Sequence, residues 1–140
     1  MPAIIMACST GTCYDDLDAL LNTSLYASGT GLSQKATSIK ITGMTPTDTI
    51  VLVNESSVAT FSLPLNPDEQ EVTLYITLNQ VNDTAKLVYD TYPHLVSSGC
   101  GYTFYFDITS LATTHNIIDS LIIENKSVTL DGKRNLRLFY

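Results

Sequence analysis

The sequence predicts an all-β protein, a two-sheet antiparallel sandwich of about eight or nine strands. Three observations carry that prediction. Glu71-Val72-Thr73-Leu74-Tyr75-Ile76-Thr77-Leu78 alternates strictly, with Val72, Leu74, Ile76 and Leu78 on one side and Thr73, Tyr75 and Thr77 on the other. That is the period of a strand with one buried face and one wet face. The run Tyr102-Thr103-Phe104-Tyr105-Phe106-Asp107-Ile108 is the most strongly β-forming in the chain, and it is entered through Gly99-Cys100-Gly101. Turn residues recur every 8 to 12 residues or so, with no linker, internal repeat or low-complexity tract between them.

Composition sets the bounds. A chain of 140 residues fits one domain and buries roughly two thirds of its unfolded surface. Hydrophobic residues make up 44% and charged residues 15%, which excludes disorder of the low-hydropathy, high-charge kind. A net charge of -7 with only 7 Lys plus Arg removes the phosphate attraction on which nucleic-acid binding depends. No apolar run approaches the roughly 18 to 20 residues of a transmembrane helix.

Taken in order, Asp15 to Leu21 can form a helical turn with acids in its first turn, and Asn22 to Tyr26 is extended in character. Ala27 to Ser33 is a Gly/Ser loop. Ser38 to Thr42 alternates and ends at Gly43; Pro46 and Asp48 turn the chain into Thr49 to Val53. Asn54 to Ser57 reads as a turn, and Val58 to Leu63 as a strand stopped by Pro64, which has no N–H to donate. After Glu71 to Leu78, Asn82-Asp83 reads as a turn into Ala85 to Tyr92, with an edge or bulge at Pro93. Gly99 and Gly101 are free to take positive φ around Cys100, and Tyr102, Phe104, Phe106 and Ile108 share one face. Ile117 to Ile123 and Ser127 to Leu130 follow as strands. Asp131-Gly132 reads as a hairpin turn whose return is Asn135 to Tyr140.

The amino-terminal Met1 to Cys8 is apolar and stops abruptly at Ser9, too short for a whole secretory signal. Ile5-Met6-Ala7-Cys8 is similar to a bacterial lipobox, in which a small residue precedes a cysteine that becomes acylated; an ordinary apolar leader is the alternative. Cys8, Cys13 and Cys100 leave one cysteine over if any disulfide forms. Lipidation of Cys8 consumes the odd one and leaves Cys13 and Cys100 to pair in an oxidising compartment. Three unpaired thiols, with Cys100 merely buried, are the other outcome. The chain is thus expected to divide into a truncated signal, lipobox and tether over 1–19 and a single β-sandwich domain over 20–140.

No constellation in the sequence carries chemistry strongly. The cysteines lack zinc-ligand spacing and His94 and His115 lie far apart, so no metal site and no cofactor are expected. Asp15, Asp16 and Asp18 lack the glycine turn and closing glutamate of a calcium loop and read as a solvated tether. Cys100, His94 and Asp90 or Asp107 could be assembled as a nucleophile, base and orienter, but alternate strand residues face opposite ways. Asp68, Glu69 and Glu71 read as a charged turn rather than a carboxylate pair. Gly29 and Gly31 lack the helix and lysine of a phosphate loop. Tyr75, Tyr92, Tyr105 and Tyr140 can stack on sugars or on protein, although cross-strand packing accounts for them as well.

In order, Leu63-Pro64-Leu65, Tyr89, Val96-Ser97-Ser98-Gly99-Cys100-Gly101, Asn116-Ile117-Ile118-Asp119 with Ile122-Ile123, and Asn135 with a terminal apolar strand resemble a family of uncharacterised small lipoproteins from Bacteroides-type Gram-negative bacteria. The similarity covers roughly Cys8 to Tyr140. It implies an acylated cysteine matching Cys8, a cysteine matching Cys100 and an immunoglobulin-like antiparallel β-sandwich, and it implies no activity. The basic start of a signal is absent here. That origin would make Asp48-Thr49-Ile50, Asp83-Thr84-Ala85 and Asp119-Ser120-Leu121 look like O-glycosylation sites, with Thr49 and Thr84 preferred for lying at turns. The expected protein is a non-enzymatic binding or accessory module of the cell envelope, lipid-anchored in the periplasm or outer membrane. Its partner would be an envelope protein or glycan, and it would touch membrane only through the lipid. A pilus-like structural subunit and a cysteine-dependent enzyme are the alternatives.

Overall fold

A computed structural model of the chain describes residue 13 and residues 17–140. Ten strands and no helix make up the described residues: β1 Leu20–Tyr26, β2 Ala36–Met44, β3 Thr49–Val58, β4 Thr60–Pro64, β5 Glu71–Leu78, β6 Val81–Ser97, β7 Gly101–Thr113, β8 Ser120–Ile123, β9 Ser127–Val128 and β10 Leu136–Phe139. They form a four-stranded sheet in the order β4-β1-β10-β8 and a six-stranded sheet in the order β3-β2-β5-β6-β7-β9. All pairings are antiparallel except β1 with β10, which is parallel.

The two sheets share one core. Leu21, Leu25, Leu63, Leu136 and Leu138 of the smaller sheet and Ile39, Ile41, Leu74, Ile76, Leu87 and Tyr89 of the larger one are all buried in a single cluster. Each set repeats every second residue, so one face of each strand turns inward. β5 has the bounds and the inward face that its alternation predicts.

Four expectations are corrected. The chain does not turn at Asn54 to Ser57: β3 runs through them, and only after Ser57, with φ 56°, does the chain cross at Ala59 into β4 of the other sheet. The turn before β6 is not Asn82-Asp83 but Asn79-Gln80, whose φ values of 48° and 68° are those of a primed hairpin turn matched to strand twist. The Asn79 Oδ1 accepts from the Thr37 and Ser38 N–H groups. Asp131-Gly132 does turn the chain, with Gly132 at φ 73°, yet it joins no hairpin. β9 before it pairs with β7, whereas β10 after it lies between β1 and β8. Ile117 and Ile118 precede β8 instead of opening it.

β2 also continues through Gly43 to Met44. A bulge leaves Leu52 of β3 unpaired beside it, and a Cβ on Gly43 would lie 2.8 Å from the Leu52 Cδ1. A larger residue there would have to displace the end of the Leu52 side chain.

Candidate functional site

β6 and β7 are the longest strands, and their far ends outrun the sheet. β6 pairs with β5 only from Val81 to Val88, while its pairing with β7 continues to Ser97. Past both β5 and the short β9, which pairs with β7 at Phe106 and Asp107, about 20 Å of two-stranded ribbon, Tyr92 to Ser97 on β6, therefore projects. A bulge lies at its base: Val88 pairs with Ser110 and Tyr89 with Ile108, leaving Thr109 as the extra residue, whose hydroxyl donates to the Val88 carbonyl at 3.1 Å. Such a bulge bends and twists the strands. Of the edge or bulge expected at Pro93, the edge is what forms: Pro93 pairs regularly with Phe104, and among the described residues β6 has no strand on its other side there, as a residue without an N–H requires.

Cross-strand partners share a face, so the register sorts the ribbon. On the face continuous with buried Tyr89, Phe106 and Ile108 stand Pro93, Leu95, Tyr102 and Phe104. They lie past the opposing sheet, and Leu95 is 53% exposed, Tyr102 69% and Phe104 46%. Among the described residues, cover comes at the base, where Phe104 and Phe106 meet Leu17 to Leu20, Pro64, Leu65 and Pro67 around a cleft of about 170 Å³. The other face carries Tyr92, His94 and Tyr105. The His94 ring stacks on Tyr105 with centroids 4.2 Å apart, and Tyr92 meets Tyr105 edge-on at 6.0 Å. Burial, reinforced by Asp107 and Tyr105, raises the Tyr92 phenol above its ordinary pKa. Residues 91–106 contain no Asp, Glu, Lys or Arg.

The tip is pinned. Cys13 and Cys100 form a disulfide with Cα atoms 4.8 Å apart, the Ser97 Oγ accepts from the Cys100 N–H at 2.9 Å, and Gly101 takes a φ of 75°. Gly101 alone of the two flanking glycines adopts a positive φ. The Thr103 hydroxyl donates to the Leu17 carbonyl, so the segment leading into β1 runs beside β7.

The opposite end of β6 has a different chemistry. Asp83 is 2% exposed and accepts four hydrogen bonds, from the Thr114 hydroxyl and from the Asn116, Ile117 and Ile118 N–H groups. Burial alone would raise its carboxyl; the four donors outweigh burial and hold it at about 2. Asn135, 1% exposed, is equally satisfied: its Oδ1 accepts from the Asn22 N–H while its Nδ2 donates to the carbonyls of Asn125 and Ser127. Both side chains fix loops to strands.

Of the residues singled out in the sequence, Cys8 lies outside the described residues. Thr49 is exposed at the start of β3. Thr84 is not at a turn: it is half-buried within β6, opposite Tyr75, because the turn lies at Asn79-Gln80. Cys100 carries no thiolate in the disulfide, and the His94 ring is engaged with Tyr105. The final strand β10 is held on both sides, by β1 and β8. The shared face of Tyr102, Phe104, Phe106 and Ile108 is as the alternation predicts; the exposure of its outer part is not foreseen, although a stretch without Asp, Glu, Lys or Arg ending in alternating aromatics was the available signal. Asp83 was read as a turn, yet it shares parity with Ala85, Leu87 and Tyr89 and so faces inward with them.

These features define a disulfide-bonded, two-sheet all-β domain with a projecting ribbon, a class set by architecture. Within it, the chain belongs to a family of unknown function (DUF6452), whose model matches residues 38–140. The match runs from within β2 to the end of β10 and beyond and includes Cys100 and the ribbon, while Cys13 and β1 precede it. No curated protein and no solved structure matches the chain.

Proposed function

We propose that this chain is an exported cell-envelope protein, lipid-anchored through Cys8 in the periplasm or outer membrane of a Bacteroides-type bacterium. It acts as a non-enzymatic binding or accessory module built on an immunoglobulin-like β-sandwich. The observation that carries this reading is the Cys13–Cys100 disulfide. Structural disulfides persist in oxidising compartments outside the cytosol, and this pairing leaves Cys8 as the odd cysteine, at the end of the lipobox-like Ile5-Met6-Ala7-Cys8. The two sheets of four and six strands around one core are compatible with the immunoglobulin-like class. Thr49, exposed where Thr84 is not, is the better acceptor for an O-glycan.

The test is the intact mass of the protein purified from its native membrane, before and after reduction, with thiol labelling. A diacyl or triacyl adduct on Cys8 and two thiols that appear only on reduction are expected. An unmodified Cys8 with three labelled thiols would overturn the anchor and the export together.

A further inference from the structure

We infer that the β6–β7 ribbon seats the domain directly on the bilayer surface, with Leu95, Tyr102 and Phe104 in the lipid interface, so that the protein touches membrane through its fold as well as through its lipid. The inference rests on the lipid-anchored reading above. Its first support is where the tether ends. Four residues, Ser9 to Thr12, lie between Cys8 and Cys13, and the five steps from one cysteine to the other reach at most about 17 Å when fully extended. The disulfide then places Cys13 at the ribbon tip, with Cα atoms 4.8 Å apart. An acyl group on Cys8 thus holds the tip, and not another part of the domain, at the height of the headgroups.

The second support is what the tip presents. Pro93, Leu95 and Tyr102 carry one apolar face beyond the cover of the opposing sheet, and Phe104, 46% exposed, continues it at the rim of the cleft. Tyrosine joins apolar area to a hydroxyl, which suits Tyr102 to the water–lipid boundary, while Leu95 and Phe104 supply apolar area alone. The third support is charge. The protein carries a net charge of -7, yet residues 91–106 have no Asp, Glu, Lys or Arg, and their one histidine, His94, stacks on Tyr105 on the ribbon's other face, so the apolar face has no ion of its own to desolvate; Asp15 and Asp16, between Cys13 and Leu17 in the chain, stay on the aqueous side in this seating. The net charge also selects the lipid: zwitterionic headgroups attract or repel it little, whereas an anionic leaflet repels it.

The chain contains no tryptophan, which permits single-fluorophore variants of the full, anchored protein. Tyr102→Trp reports the tip. Tyr75→Trp is the control, since Tyr75 is 43% exposed on the outer side of β5 and pairs with Thr84 near the other end of β6. Each protein, with Cys8 acylated, is reconstituted into phosphatidylethanolamine–phosphatidylcholine vesicles carrying brominated acyl chains. Bromine is expected to cut the Tyr102→Trp emission about twofold or more, with a blue shift, and to leave Tyr75→Trp unquenched. Equal quenching of both, or of neither, in an acylated and vesicle-bound protein would overturn the seating and leave the anchor standing. An unacylated Cys8, with the chain recovered in the aqueous fraction, would overturn the seating and the anchor together. Reversing the disulfide supplies the second arm: after reduction of the anchored protein, quenching of Tyr102→Trp should fall, because the tip is no longer held to the tether. Unchanged quenching on reduction would overturn the role given to the disulfide.

Discussion

The two ends of β6 bury and expose opposite things. Near its start, a carboxylate is taken out of water and given four donors. Near its finish, Leu95 and its partner Tyr102 are left in solvent with nothing of the opposing sheet above them. A buried ion is costly unless every lone pair is satisfied, and an exposed apolar face forgoes burial that would have stabilised the fold. The first end is therefore built for a single rigid arrangement. The second is held by a covalent bond and a few hydrogen bonds, at the place where one strand pair leaves the sheet. Ligand-facing elements are drawn from such weakly packed regions, and the contrast is the reason the proposed membrane contact is sought at the ribbon.

The largest way to test this contrast is to cut the disulfide. Cys13 and Cys100 are 87 residues apart, and on the chain-entropy model closing such a loop stabilises by about 4 to 5 kcal/mol. Cys13→Ser/Cys100→Ser should lower the urea midpoint by a corresponding amount. Under native conditions, amide exchange should accelerate first at residues 94–104 and least at 116–118. A loss below about 1 kcal/mol, or acceleration that begins at 116–118, would break the contrast.

The next effect is at Asp83. Asp83→Ala orphans three backbone N–H groups and a hydroxyl, and is expected to cost about 3 kcal/mol. The pH dependence follows from the sign of the shift. The folded carboxyl sits at about 2, below its ordinary value of 3.8, so its contribution is fully present above pH 3.8 and is lost as pH falls toward 2. A difference of that size corresponds to about 2 kcal/mol. Asp83→Asn should remove that portion of the acid slope while the ribbon's exchange rates at neutral pH stay as they were. An acid transition identical to the parent's would show that the carboxylate is not ionised in the way its donors require.

These differences also explain what could be seen in advance. β5 was legible to the residue because alternation, burial and ladder all point the same way over Glu71 to Leu78. Sheet membership was not. β9 and β10 flank a glycine turn at Asp131-Gly132 that looks like a hairpin locally, and only tertiary packing decides that one strand joins β7 and the other joins β1 in parallel. Asp83 was misread because aspartate is a turn former by local chemistry; its inward position depends on donors from Asn116, Ile117 and Ile118, more than thirty residues away. The strand run and Cys100 at the ribbon were both legible. Its exposure was not, since alternation marks which residues share a face but not where the opposing sheet stops.

The smallest effect lies at the junction of the two regimes. Asp90 and Asp107 are directly opposite on the outer face of the ribbon's base, and like charges in that position repel. Asp107 retains a partner in the Ser127 hydroxyl at 3.2 Å. Asp90→Thr removes the repulsion and adds a β-branched residue at a strand position, so it should stabilise by about 0.5 kcal/mol at low salt, and by less at molar salt, where the repulsion is already screened. Urea midpoints of both proteins at the two ionic strengths measure it. A gain that vanishes with salt would mean that the base of the ribbon, like its tip, is not arranged for maximal stability. A loss at low salt would mean that Asp90 has a structural task comparable to that of Asp83, and the rigid region would then extend to where β6 leaves the sheet.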